Sequence, residues 1–376
     1  MFFILLIITN LMTNKISKGK VLLGLSGGVD SSVAALLLKK QGYRVIGAFM
    51  KCFSDTKDPI TGECGWIKEK QMAQKIAAKL EIPFIVLDLE KQYKKEIIGP
   101  MIKGYKRGKT PNPDIACNTI IKFPWLLKEA KKLGCDYIAT GHYARIKKTK
   151  LGFQLLSGKD KNKDQSYFLY ELNQDILSKT LFPIGELNKE KVREIAKKNE
   201  LPNWNKHGTS GICFVGQVHI KAFLEKIIKN KLGKAKDPEG NTIGSHPGIF
   251  YYTIGQRIGP HIGINIIKPK EDNKKWFIAE KQKPNTLIVA PEGHPFLKKS
   301  KILINNLHII NNKHNILINI KARIRHLGKL IPATLKKQNN NYLLTLKTPT
   351  SGIAEGQHIV LYKKDVCFGG GEIFVY

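Results

Sequence analysis

The chain has 376 residues, of which 42% are apolar and 25% charged, which excludes a low-complexity or disordered protein. Its 63 Lys and Arg residues outnumber 30 acidic residues and give a net charge of +33, so it attracts polyanions such as nucleic acid. A general enrichment in Lys, Ile and Asn also raises the charge, so the charge alone does not identify a partner.

The chain begins with an apolar run, Phe2 to Ile8, which is too short to span a bilayer. It lacks the basic region and the small-residue cleavage site of a secretory signal. We therefore interpret residues 1–17 as an extension outside the fold, with Met1 and Met12 as alternative starts. No other run is long and apolar enough for a membrane span, so we expect a cytoplasmic protein without a membrane partner.

From Lys20 to about Ile146 the chain alternates between strand and helix patterns, within a first domain predicted at 18–217. The predicted strands are KVLLGLS, RVIGAFM, PFIVLDL and DYIATGHYA, and the predicted helices are SSVAALLLKKQG, KEKQMAQKIAAKL and FPWLLKEAKKLG. This alternation predicts an α/β domain with an open parallel sheet, in which ligands bind beyond the carboxyl ends of the strands.

After about Val218 the helical pattern fades and Gly/Pro turns multiply, which predicts a central β-rich domain at 218–292. Residues 293–376 read as short alternating strands and predict a small antiparallel β-barrel. In this region Ile320, Ala322 and Ile324 alternate with basic residues. The alternation predicts a basic face formed by Lys321, Arg323 and Arg325 that contacts RNA phosphates, although simple solvation of that face is the alternative.

The segment GLSGGVDSS, Gly24 to Ser32, lies between a predicted strand and a predicted helix. Two glycines let backbone N–H groups approach phosphate oxygens, serines add hydroxyl donors, and Asp30 can hold Mg²⁺. A loop that transfers a γ-phosphoryl group needs a lysine, which this segment lacks. The loop therefore favours holding a diphosphate leaving group while a nucleophile attacks the α-phosphorus, and it resembles the PP-loop of ATP pyrophosphatases.

The chain has six cysteines and no C-x-x-C pair, so we predict no structural metal site. Cys117 follows the stiff segment TPNPD, and Cys213 lies in GTSGICFVG. One buried cysteine is usually inert, but two in Gly/Pro-shaped loops of a protein that also has a phosphate loop indicate sulfur chemistry. Cys52, Cys64, Cys135 and Cys367 lack such settings and are interpreted as structural.

With the PP-loop, these segments closely resemble the bacterial tRNA 2-thiouridylase family (MnmA type). The resemblance extends from about Lys20 over nearly the whole chain. It is carried by GLSGGVDSS, AFMK, GKTPNPDIACNTIIKF, DYIATGHYARI, KNKDQSYFLYEL, LFPIGEL, GICFVG, YTIGQRIG, GQHIVLY and VCFGGGEI. It implies an open parallel-sheet PP-loop domain (adenine nucleotide alpha hydrolase-like), a small central domain and a C-terminal antiparallel β-barrel. One departure is Gly208, which stands where the family commonly has an acid.

The resemblance implies that ATP with Mg²⁺ adenylates the 2-carbonyl of the wobble uridine of tRNA, which sulfur then replaces. Cys213 would carry the sulfur as a persulfide. Cys117 would attack the activated base or release sulfide by forming a Cys117–Cys213 disulfide. Asp114 would act as general acid or base.

The resemblance also assigns binding residues. ATP would contact Gly24, Leu25, Ser26, Gly27, Gly28, Val29, Asp30, Ser31, Met50 and Gly141. The target base would lie against Asn112, Pro113 and Asp114. Other tRNA contacts would come from His142, Lys163, Asp164, Gln165, Arg323, Ile324 and Gln357. The implied partners are the Lys, Glu and Gln tRNAs and a cysteine desulfurase that supplies sulfur directly or through a relay.

Two alternatives remain open from the residues. Another PP-loop enzyme could adenylate a carboxylate or a nucleotide carbonyl and accept ammonia or an amino group, and it would not need the two thiols. A non-catalytic RNA-binding protein would not consume ATP. The sequence leaves the sulfur donor, the tRNA substrates and the oligomeric state open.

Overall fold

The computed structural model describes residues 17–54, 65–206, 220–267, 273–311 and 319–374. The predictions for residues 1–16, Cys64, Gly208 and Cys213 lie outside these ranges. No helix in the described part of the chain is both long enough and apolar enough to cross a bilayer.

The first unit is built on a parallel sheet of five strands in the order β3-β2-β1-β4-β7. Its strands are β1 (Lys20–Gly24), β2 (Arg44–Lys51), β3 (Phe84–Asp88), β4 (Tyr137–Ala139) and β7 (Thr180–Leu181). The α-helices of this unit are α1 (Val29–Lys40), α2 (Gly65–Lys79), α3 (Glu90–Tyr93), α4 (Gly99–Lys106), α5 (Pro113–Ala116), α6 (Phe123–Lys132), α7 (Gln174–Lys179) and α8 (Lys189–Lys198).

The predicted α/β pattern of this unit is confirmed, since each predicted strand and helix is present. Strand β1 is buried along most of its length, as expected for a central strand covered on both faces. Helix α1 stops before Gly42, whose φ of +92° is the left-handed conformation that favours glycine after a helix. The fourth predicted strand is shorter than expected, because only Tyr137–Ala139 joins this sheet.

The chain after that strand enters a different sheet. Strands β5 (Ala144–Thr149) and β6 (Gly152–Ser157) form a hairpin, and β6 pairs with β18 (Val366–Phe374) near the end of the chain. Register pairs join Leu155 to Cys367 and Leu156 to Val366. A hairpin inserted in the first unit is therefore hydrogen-bonded to the last strand of the chain.

The central unit begins with α9 (Ile220–Glu225) and contains a five-stranded sheet in the order β10-β9-β8-β12-β11. Its strands are β8 (Gly233–Lys236), β9 (Thr242–His246), β10 (Asn265–Ile266), β11 (Trp276–Gln282) and β12 (Thr286–Pro291).

The last unit is a six-stranded antiparallel barrel, as predicted, which closes where β13 pairs with β18. Its remaining strands are β13 (Lys299–Ile309), β14 (Ile320–Arg323), β15 (Ile331–Gln338), β16 (Asn341–Thr350) and β17 (His358–Lys363). Closure leaves no unpaired edge inside the barrel, and a compact apolar core that includes Ile320, Leu344 and Ile373 fills it.

Candidate active site

The loop between β1 and α1 has the geometry of a phosphate cradle. Gly27 has a φ of +78°, and a Cβ there would lie 2.5 Å from the backbone oxygen of Glu69, so only glycine fits. The hydroxyl of Ser31 donates to the oxygen of Gly28 at 3.0 Å and accepts from the N–H of Ser26 at 3.2 Å. The loop therefore holds its turn by internal bonds at the N-terminal, positively polarised end of α1.

Two other predicted nucleotide residues lie against this loop. A Cβ on Gly24 would meet Cε of Met50 at 3.4 Å, and both residues are buried at adjacent strand ends. A Cβ on Gly141 would lie 2.7 Å from the backbone nitrogen of Ser31. The structure thus brings the predicted nucleotide residues together at the carboxyl edge of the parallel sheet.

A cation that sequence reasoning did not find lies beside the loop. Nζ of Lys189, in the first turn of α8, is 2.6 Å from Oδ1 of Asp30. The phenol of Tyr143 donates to the same oxygen at 2.8 Å. Burial and the Asp30 carboxylate both raise the pKa of Tyr143, so this phenol stays protonated as a donor. The loop has no lysine in its own sequence, but Lys189 from another helix lies beside it.

The far side of the loop is held by a turn that follows α8. The buried amide of Asn203 donates to the oxygen of Gly27 at 3.0 Å and to the hydroxyl of Ser32 at 2.9 Å. Lys206 forms an ion pair with Glu69 at 2.6 Å, and Glu69 packs over Gly27. No motif drew attention to Asn203 or Lys206, because their contacts span more than 130 residues.

The predicted catalytic segment forms a short, well-fixed helix start. Oδ1 of Asn112 accepts from the N–H of Ile115 at 3.3 Å, and Pro113 occupies the first helical turn of α5. The side-chain amide of Asn118 donates to the oxygen of Asp114 at 2.9 Å. The chain then changes to a π-helical turn at Cys117–Lys122, a conformation often found at functional sites.

Cys117 is a buried thiol at the start of that turn, 1% exposed, while the nearby Asp114 is half-buried. Within the described residues, Cys52, Cys117, Cys135 and Cys367 are all thiols and no disulfide joins them. Burial strongly raises the pKa of Cys367, so this cysteine is a poor nucleophile and fits its predicted structural role. The predicted partner of Cys117, Cys213, lies outside the described residues.

The predicted tRNA-binding triplet Lys163, Asp164 and Gln165 divides into one exposed and two anchored residues. Lys163 is exposed, whereas Asp164 is completely buried. Oδ1 of Asp164 accepts from the N–H groups of Gly158 and Ser166. Oε1 of Gln165 accepts from the N–H of Tyr143 at 3.0 Å. These bonds fix the shape of the turn, and the residues that follow it, Ser166–Leu169, pack against α5.

The prediction that Arg323 shares an exposed basic face with Lys321 and Arg325 is wrong. Arg323 is 6% exposed, and its Nη1 lies 2.7 Å from Oδ2 of Asp164. Its guanidinium also lies over the ring of Tyr362, 5.0 Å from the centroid. Alternation misassigned the residue because the turn at Asp164 covers this end of β14.

Three further predicted tRNA residues also have their side chains engaged within the protein. His142 is buried, lies 2.7 Å from the hydroxyl of Thr140, and has its pKa lowered well below the usual value by burial and by Lys122. Ile324 packs in the barrel core. Nε2 of Gln357 donates to the oxygen of Thr110 at 3.0 Å. Direct tRNA contacts of these side chains stay predictions.

Comparisons with known proteins agree with this arrangement. Residues 19–217 match the family model described as tRNA methyl transferase HUP domain. Residues 221–291 match the tRNA methyl transferase PRC-barrel domain, and residues 299–373 match the Aminomethyltransferase beta-barrel domain.

Curated relatives are similar over almost the whole chain. The chain is 40% identical over 361 residues to tRNA-specific 2-thiouridylase MnmA 1 of Geobacillus kaustophilus, covering 95% of each chain. It is 41% identical to tRNA-specific 2-thiouridylase MnmA of Nitrosomonas eutropha, covering 95% of this chain and 99% of that protein. It is 42% identical to the MnmA protein of Nitrosococcus oceani, covering 95% and 97%.

Proposed function

The chain belongs to the MnmA family of tRNA-specific 2-thiouridylases, and on this premise we propose how its residues share the steps of an ATP-dependent sulfur transfer. The enzyme is a tRNA-uridine 2-sulfurtransferase. In the proposed reaction the 2-carbonyl oxygen of the wobble uridine attacks the α-phosphorus of ATP and pyrophosphate leaves. Sulfur then adds to C2, and the original oxygen departs with AMP.

The observation that carries the proposal is the meeting of Asp30 and Lys189 at the N-terminus of α1. A reaction that expels pyrophosphate needs donors for the charge that develops on the leaving group. The N–H groups of the loop, the helix dipole and the Lys189 ammonium supply such donors at one place. The adenine would lie near Met50 and Gly141, which border the loop.

The donor set at Asp30 fits Mg²⁺. One carboxylate oxygen, Oδ1, is held by Lys189 and Tyr143, and Oδ2 has no partner among the described residues. Protein Mg²⁺ sites often use a single carboxylate together with substrate phosphates, so Asp30 would hold the ion with ATP. When bound, the ion would neutralise negative charge on the phosphates of ATP. Lys189 and Tyr143 orient the carboxylate for that contact.

The sulfur step is assigned to Cys213, Cys117 and Asp114. A persulfide on Cys213 would provide the sulfur that attacks C2 of the adenylated uridine. Cys117 would then attack the Cys213 sulfur, so that the electron pair of the broken S–S bond passes to the transferred sulfur and a disulfide remains. Direct attack of Cys117 on the activated base is the other route. The buried Cys117 and half-buried Asp114 lie on one rigid turn, which supports joint action.

Recognition of tRNA is proposed for the turn at Lys163–Gln165 and for the barrel. Lys163 is the exposed member of the turn and would contact RNA phosphate. The buried Asp164–Arg323 pair would shape that contact from beneath. The wobble base would have to leave its stack to reach Asn112–Asp114. We propose the Lys, Glu and Gln tRNAs as substrates, a cysteine desulfurase as sulfur source, and a cytoplasmic location, where charged tRNA is used.

The proposal is tested by mass spectrometry of tRNA nucleosides after incubation with ATP, Mg²⁺ and a persulfide donor. We expect 2-thiouridine at the wobble position with the native chain and none with Cys213→Ala. If Cys213→Ala and Cys117→Ser both keep full turnover, the assignment of the thiols is wrong.

A further inference from the structure

The segment that leads into the catalytic turn is held by all three units of the molecule. Residues 108–111 belong to the first unit and immediately precede Asn112–Cys117. The backbone of these residues bonds to β11 of the central unit and to the loop before β17 of the barrel. We call residues 108–111 the lead-in segment of the site.

The contact from the central unit is made by Lys281. Its Nζ donates to the oxygen of Gly108 at 3.0 Å. Burial lowers the pKa of Lys281 to about 7, and the nearby Glu355 only partly offsets this effect. Desolvating a lysine amine carries a free-energy cost that a surface position would avoid. The hydrogen bond to the Gly108 oxygen gives this desolvated amine a partner.

The contacts from the barrel fix Thr110, two residues after Gly108, through both its N–H and its carbonyl oxygen. The N–H of Thr110 donates to the oxygen of Glu355 at 2.7 Å, and the side chain of Gln357 donates to the oxygen of Thr110 at 3.0 Å. Gly356 lies between Glu355 and Gln357 in the sequence and has a φ of +86°. This φ favours glycine, and a Cβ on Gly356 would make a tight contact of 3.1 Å with the nitrogen of Thr110.

The backbone has little conformational freedom between the lead-in segment and the catalytic turn. Pro111 and Pro113 each fix a φ angle, and Asn112 caps α5. A Cβ on Gly104 would lie 2.6 Å from Cγ of Pro111, so α4 closes the remaining side. These restraints leave the chain few ways to change its path between Gly108 and Cys117.

We propose that Lys281, through Gly108, is a positioning residue that sets the place of Asp114 and Cys117. By this contact the central unit acts on the chemistry of the first unit. The catalytic part of this inference rests on the proposed function, but the structural part concerns the placement of the Cys117 thiol and can be measured without any substrate.

The test compares Lys281→Met with Lys234→Met, which removes an exposed lysine from β8 of the same unit. Each full-length protein is treated with iodoacetamide, without ATP or tRNA, and alkylation is followed by mass spectrometry of the cysteine peptides. Cys117 and Cys52 are both 1% exposed in the first unit, so Cys52 reports unfolding of that unit as a whole. The kcat and KM for tRNA are measured in parallel.

Lys281→Met is expected to speed alkylation of Cys117 about tenfold, the effect of one lost hydrogen bond to a buried group, while Cys52 stays slow. The kcat falls and the KM for tRNA is unchanged. Equal acceleration of Cys117 and Cys52, or none at Cys117, overturns the inference. If Lys281→Met does not fold, Lys281→Leu, which also lacks a donor, is tested by the same criteria. Inactive native enzyme would contradict the proposed function, but the alkylation result would still decide the role of Lys281.

Discussion

Nζ of Lys189 lies 2.6 Å from Oδ1 of Asp30, although 159 residues separate the two in the chain. The pair places a cation beside a phosphate-type loop that has none in its own sequence. Both side chains are partly exposed, at 19% and 34%, so a bound nucleotide can reach them. In the proposed reaction, this lysine from another helix would stabilise the pyrophosphate leaving group.

Removing this cation should weaken catalysis more than folding. For Lys189→Met we expect kcat/KM for ATP to fall about 100-fold, as for the loss of a preorganised donor to developing charge. The measurement is tRNA-dependent formation of AMP. Lys191→Met serves as the control, because Lys191 is exposed on the same helix and pairs only with Glu194 in the described structure. Equal losses in the two variants would contradict the role of Lys189.

Gly141 should not tolerate a side chain. In Gly141→Ala the new Cβ would lie 2.7 Å from the nitrogen of Ser31, and backbone cannot move aside as a flexible side chain can. We expect a loss of about 1–3 kcal/mol in the free energy of unfolding and weaker ATP binding. Urea denaturation and ATP titration measure both. Gly65→Ala is the control, since a Cβ at Gly65 meets no atom of the described residues within 4 Å. Unchanged ATP affinity in Gly141→Ala would argue against the placement of the nucleotide.

The buried ion pair between Arg323 and Asp164 should matter for stability. Breaking it by Arg323→Met leaves an unpaired carboxylate in the protein and is expected to cost about 3–5 kcal/mol of unfolding free energy. Asp164→Asn combined with Arg323→Met should cost less than the sum of the two single changes. Urea denaturation measures each. The exposed neighbour Lys321→Met should change stability by less than about 0.5 kcal/mol. Additive effects would show that the pair is not coupled.

The pKa of Lys281 predicts a pH dependence of stability. This pKa is about 7 in the folded protein against 10.5 for an ordinary lysine, so the unfolded chain binds more protons between these values. Wild-type stability therefore rises with pH between about 7 and 10.5. Below pH 7 the folded protein bears the full free-energy cost of keeping the desolvated Lys281 amine charged. Glu355 is a charged group beside Lys281, and Glu355 is itself ion-paired with Lys109.

This pH dependence can be measured by comparing Tm values. The Tm of Lys281→Met minus the Tm of wild type should decrease as the pH rises from about 7 to about 9. Over this range the Lys281 amine of the wild type loses its proton and no longer destabilises the folded state. Lys234→Met should parallel the wild type. A constant difference between Lys281→Met and wild type over this range would contradict the desolvation of the Lys281 amine.

Local patterns predicted much of the fold and part of the site. Strand β1, the PP-loop and α1 are contiguous in sequence, so their apolar run, glycines and helix pattern were sufficient to place them. The pairing of β6 with β18 was not predictable, because it joins residues more than 200 positions apart. Lys189 and Lys281 were missed for the same reason.

Alternation also fails where another unit covers a strand. Arg323 has the position of a solvent-facing residue in β14, but the turn at Asp164 buries it. Neither the charge of a residue nor its place in a strand reveals a covering segment from elsewhere in the chain. The buried position of His142 has a similar origin, since its ring stacks near Phe123 of α6.

The central claim, that the loop at Gly24–Ser32 expels pyrophosphate so that a uridine oxygen can leave with AMP, is tested most directly by the fate of ATP. The enzyme is incubated with α-labelled and γ-labelled ATP, Mg²⁺, unmodified tRNA and a persulfide donor, and the products are separated. We predict that AMP and pyrophosphate form in step with 2-thiouridine and only when tRNA is present. Formation of ADP and orthophosphate instead, with or without thiolation, would contradict the account.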